Sequence, residues 1–106
     1  PWKIVHLNIN TYMPEDNGEP TVNSTEAQSA VTAALDSVTV INDIVNNTDA
    51  VAGQSTADKA DDADRNYRHI EIMMGKSWFS GTATTAQRST LNGAISAGQA
   101  YHTANS

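Results

Sequence analysis

Pro1 places a secondary amine at the start of the chain, and a terminal amine drawn out of water loses basicity until it can take a proton from carbon near neutral pH. That is the one residue whose type and position alone point to chemistry. Three other sets compete with it. His6, His69 and His102 lie on separate predicted elements, whereas a metal ion needs three or four converging ligands. Asp58, Asp61, Asp62 and Asp64 are rich in oxygen but lack the Gly and the distal Glu of a calcium loop, so a solvated helix start accounts for them better. Arg65, Arg68 and Arg88 can bind a carboxylate in principle, yet all three fall on predicted helices. The chain has no Cys, which removes thiolate metal sites, Cys nucleophiles and disulfides. It shows no Gly-rich phosphate loop, no Ser-centred elbow and no basic aromatic stripe. No catalytic residue, metal or cofactor is therefore expected.

The elements that position these residues are read from periodicity. Residues 2–10 alternate as a β-strand, with Trp2, Ile4, His6 and Asn8 on one side. Residues 11–22 hold Pro14, Gly18 and Pro20 among acids and read as an extended arm. From Asn23 a helix is expected, with Asn23 as cap and Glu26 three residues on, and Thr25 with Gln28 offering the same box later. Along it Ala27, Val31, Ala34, Val38, Ile41, Val45, Thr48 and Ala52 recur at steps of four and three, a heptad seam suited to helix–helix contact. The β-branched run 37–41 fits strand alternation too, but the heptad phase passes through it without a skip, so helix is preferred.

Gly53 ends or bends that helix. Ser55 with Asp58 then opens a second one over 56–74, with Ala60, Ala63, Tyr67, Ile70 and Met74 as its seam and Gly75 as its stop. Within it Asp61 and Arg65, and Asp64 and Arg68, are spaced for i,i+4 ion pairs. Residues 76–81 form an aromatic hinge around Trp78 and Phe79. The box Thr84/Gln87 starts a last helix over 85–102, whose apolar face is Leu91, Ala94, Ile95, Gly98 and Tyr101. Tyr67, Ile70, Met74, Trp78, Phe79, Leu91 and Ile95 are the expected core of this C-terminal hairpin.

At 106 residues the chain is one domain at most, divided into a strand and arm (1–22), an oligomerisation helix (23–54) and a hairpin (55–106). Its net charge of −6 argues against a nucleic-acid or anionic-membrane partner. Up to Ala57 the only cation is Lys3, so a basic partner would meet the first half. No apolar run reaches transmembrane length. The two sequons, Asn23-Ser24-Thr25 and Asn46-Asn47-Thr48, are expected by chance in a chain so rich in these residues.

Two resemblances bear on function. Pro1 followed by an alternating strand resembles the opening of the tautomerase superfamily, which implies an enzyme using Pro1 as its base. The likeness covers about ten residues and lacks an early Arg and a second strand, so Pro1 reads better as the point where the mature chain begins. The segment 65–74 with Trp78-Phe79 and 94–101 resembles the helical hairpin of small structural proteins of tailed bacteriophages, and the Ala- and Asp-rich 57–64 is similar to coiled regions of their fibre and tail proteins. That resemblance implies a virion component. The overall expectation is a mainly α chain with a short N-terminal β-strand: a non-enzymatic, self-associating structural protein. Its contact is Val31, Ala34, Val38, Ile41 and Val45, and its partners are its own copies, a trimer being one form, and other virion proteins. A Pro1-dependent enzyme and a small acidic partner-binding module are the alternatives.

Overall fold

The computed structural model describes residues 20–106. Pro1, the strand expected at 2–10 with His6, and all but the last residues of the arm lie outside the described residues. The described chain is helical: α1 (Thr25–Asn46), a 3-10 turn (Asp49–Val51), α2 (Thr56–Met74), a single turn α3 (Phe79–Thr82) and α4 (Thr85–Asn105).

α1 begins one residue later than the Asn23 box. Asn23 takes a left-handed φ of 63°, which Asn tolerates better than most residues, and Ser24 becomes the cap, its hydroxyl accepting from the Ala27 amide at 3.0 Å. The 37–41 run is helix throughout. The helix stops at Asn46 rather than running towards Ala52, because Asn47 turns left-handed with φ 51°. Its amide then reaches the Ile44 carbonyl, and the Thr48 amide the Asp43 carbonyl, the pairing of a Schellman stop. The Thr48 hydroxyl fastens the same end by donating to the Asp43 carboxylate. Val45 thus lies in the last turn and is exposed, while Thr48 and Ala52 are off the helix.

α1 buries more than its heptad seam. Beside Ala27, Val31, Ala34, Val38 and Ile41, a second stripe is covered: Ala30, Ala33, Ser37, Val40 and Ile44. Two adjacent stripes make the broad face of a helix packed against two neighbours, whereas a two-stranded seam needs only the first. Those neighbours belong to the same chain. Lys59 Nζ on α2 donates to Asn47 Oδ1, and Ser37 meets His69, so α1 and α2 run antiparallel. His102 on α4 meets the Ala60 carbonyl, and Gln99 meets Glu71, so α2 and α4 are antiparallel too.

The three long helices form an up–down–up bundle. Gly98 permits the closest approach: a Cβ there would stand 3.0 Å from Tyr67 Cβ and 3.2 Å from Ile41 Cδ1. Val51 from the 3-10 turn joins Val40, Ile44 and Ala63 in a small cluster at one end of the bundle, with Tyr101 packed against it. At the other end α3 and the buried, tilted rings of Trp78 and Phe79 join α2 to α4. Arg88 ties this joint, donating to the Ser80 and Ala83 carbonyls. The Thr84/Gln87 box opens α4 with both of its reciprocal bonds formed, and α4 continues past His102 to Asn105.

Candidate functional site

α2 carries a second buried stripe next to its apolar seam: Asp62, Asn66, His69 and Met73 recur at steps of four and three. Ala60, Ala63, Tyr67 and Ile70 cover the adjacent face, so the polar stripe is turned towards α1. Its contact there is Ser37, whose Oγ lies 2.7 Å from His69 Nδ1. Ser37, Asp62, Asn66 and His69 are each at most 1% exposed. One turn away, Asn66 Nδ2 donates to Asp62 Oδ1 at 3.0 Å and to the Asp62 carbonyl at 2.8 Å.

These four groups are the densest polar constellation among the described residues that is closed to water. A hydroxyl within 2.7 Å of an imidazole has the spacing of a nucleophile and its base. Chemistry on a substrate, however, requires the reacting atom to reach the hydroxyl, and here both partners are enclosed between two helices. The arrangement instead fixes register, because a polar pair buried across a helix interface is satisfied in only one alignment. Asp62 is the cost of this seam: burial is the largest influence on its carboxyl and pushes it up to about 6, against the opposing pull of Arg65 and the hydrogen bond from Asn66, while Asp61 adds to the rise. The expectation that Asp62 belongs to a solvated helix start is therefore corrected; it sits one residue out of phase with the exposed Asp61 and points inward.

The accessible polar groups lie elsewhere. Asp64 accepts from Arg68 Nε at 2.8 Å, and Asp61 pairs with Arg65 at 3.1 Å, as the i,i+4 spacing predicts. Burial tends to raise Asp64, but its hydrogen bonds from Arg68 and Tyr67 outweigh that and hold it below the usual carboxylate range. His102 stands on the rim of this cluster, Nδ1 at 3.0 Å from the Ala60 carbonyl, which can only accept, so that nitrogen carries a hydrogen. Its Nε2 is 3.9 Å from Asp64. His69 and His102 thus occupy different faces of α2's surroundings, and no group of three or more His, Asp or Glu among the described residues is placed to hold a metal ion. An open groove of about 320 Å3 between the start of α1 and the α3–α4 joint is lined by Gln28, Val31, Thr32, Thr82, Thr84 and Gln87, which supply amides and hydroxyls and no ionisable group.

The residues expected at an oligomer contact are placed differently from that expectation. Val31, Ala34, Val38 and Ile41 lie in the core of the single chain, where α2 and α4 cover them; Val45 is exposed. Of the hairpin residues, Tyr67, Ile70, Trp78, Phe79 and Leu91 are in that same core, with Met74 and Ile95 partly buried against it. The hairpin core and the heptad seam are thus one core. Sequence reading missed Ser37, Asn66 and the inward Asp62, although the 62/66/69/73 spacing was present: a polar stripe gives no contrast with a solvated face. No described helix is long and apolar enough to cross a membrane. No family model, no curated protein and no solved structure matches the chain.

Proposed function

We propose that this chain is a non-enzymatic structural protein that works through the outer surface of its helical bundle, binding further copies of itself and neighbouring proteins. The observation that carries the reading is the sealed polar seam: among the described residues the groups best suited to chemistry are shut off from water, Ser37 and His69 joining α1 to α2 and Asp62 and Asn66 bonded to each other within α2. The sequence pattern of 65–74, Trp78-Phe79 and 94–101, which resembles that of small structural proteins of tailed phages, is the support for a virion as the proposed setting. Self-association must use surfaces other than the heptad seam, since that seam is covered by the chain's own helices. Val22, Val45 and Ile72 are the large apolar side chains left exposed among the described residues.

Light scattering on the full chain over a wide concentration range tests this. The expected result is a discrete oligomer that Val45→Asp or Ile72→Asp shifts towards the monomer while the helical signal in circular dichroism is kept. A wild-type chain that stays monomeric at every concentration overturns the self-association.

A further inference from the structure

Asp62 and Asn66 lie one turn apart on the face of α2 that packs on α1, and both are shut off from water. The Asn66 amide nitrogen already serves two acceptors, the Asp62 carbonyl and Asp62 Oδ1. Its Oδ1 is buried and has no donor. Flipping the amide gives no remedy, since it would turn a carbonyl oxygen towards those same two acceptors. A buried acceptor left without a donor is costly, of order 1–3 kcal/mol. The adjacent group is a carboxyl, which becomes a donor once it holds a proton.

We propose that Asp62 and Asn66 form a proton-operated switch on the face of α2 that packs on α1: a proton taken from solvent by the Asp62 carboxyl gives Asn66 Oδ1 its missing donor and closes a reciprocal acid–amide pair. Release of that proton leaves a buried charge that loosens the interface. The charged groups around it do not cancel this. On α2, burial and the neighbouring Asp61 disfavour the ionised carboxylate and together outweigh Arg65 and the Asn66 hydrogen bond, which favour it. Asp58 and Lys59 are on the preceding turn, the latter engaged with Asn47. On α1, Asp43 is occupied by Thr48, and Asp49 of the 3-10 turn is exposed. His69, next along the same stripe, is held on Ser37, and His102 of α4 is held on the Ala60 carbonyl.

Linkage sets the sign. The carboxyl titrates near 6 in the fold and at its ordinary 3.8 when unfolded. Between those values the native state binds the extra proton, so the stabilisation is complete below 3.8 and is lost as pH rises through 6. Two measurements on the full chain test the switch. The first is urea unfolding of wild type and Asp62→Asn between pH 5 and 7.5: the wild-type unfolding constant is expected to rise about tenfold more than that of the variant, which keeps an acceptor for Asn66 and cannot ionise. Equal pH dependence in the two proteins overturns the proposal. The second reads the Asp62 carboxyl carbon by NMR in unmodified protein, together with amide exchange along α1. A titration midpoint near 6 with faster opening around Val40 and Ile44 above it is expected. A midpoint in the ordinary carboxylate range, or opening that does not track the titration, overturns it even if Asp62→Asn fails to fold.

Discussion

Ser37 and His69 have the spacing of reacting groups, but their burial gives the contact a different outcome: it makes the α1–α2 alignment specific. Removing the hydroxyl leaves His69 Nδ1 without this partner in a site water does not reach. Ser37→Ala is expected to lower stability by about 1–3 kcal/mol, read as a shifted urea midpoint with an unchanged slope. The same reasoning separates two glycines of α4. A Cβ at Gly98 would press on Tyr67 Cβ, which is anchored directly to the backbone of α2 and cannot turn aside. Gly98→Ala should therefore destabilise by about 1–3 kcal/mol despite its better helix propensity. At Gly93 a Cβ meets nothing within 4 Å. Gly93→Ala should stabilise by up to about 1 kcal/mol, and thermal melts of the two variants should move in opposite directions.

At the scale of elements, caps and spacing decide where each helix lies. The Thr84/Gln87 box satisfies the cap amide and the third helical amide at once. Thr84→Ala is expected to cost about 1 kcal/mol and to speed amide exchange in the first turn of α4 before the rest of the bundle. Much of this level was legible in the sequence: the cap at Ser55, the box at Thr84, the stop at Gly75, the ion pairs of Asp61 and Asp64, and the helical course of 37–41 all depend on local contacts. Misplacement arose where local signals compete or tertiary contacts decide. Asn23 can cap a helix or turn left-handed, and here it turns. Asn47 can continue a helix or end it, and here it ends it. The heptad positions are buried from Ala27 to Ile41, but whether such a seam meets a second copy or a second helix depends on the stripe beside it. Ala30, Ala33 and Ser37 are small or polar and do not announce burial.

For the whole molecule the core is shared by all three long helices, with Ile41 fully buried in it. Ile41→Asp places a carboxylate among Tyr67, Ile70 and Val38, and is expected to unfold the chain, abolishing the cooperative melt and most of the helical circular dichroism. A folded but monomeric Ile41→Asp chain would instead mark this face as an intermolecular contact. Acidity is distributed unevenly over the bundle as well: α1 carries Glu26, Asp36 and Asp43 and no cation, while the basic side chains of the bundle begin with Lys59.

The up–down–up path also governs how quickly the bundle assembles. α1 meets α2 and α2 meets α4 across short joints at 47–55 and 75–84, so most native neighbours are close along the chain. Such topologies collapse along a short search, and refolding in dilute urea should be complete on the order of microseconds to milliseconds. Among the side-chain hydrogen bonds of the described residues, the one with the longest loop to close is the Asn23 amide on the Thr82 hydroxyl, 59 residues apart. Exchange labelling under continuous-flow mixing should then show the central turns of α1 and α2 protected first, and the α1 entrance docking on α3 as the last event.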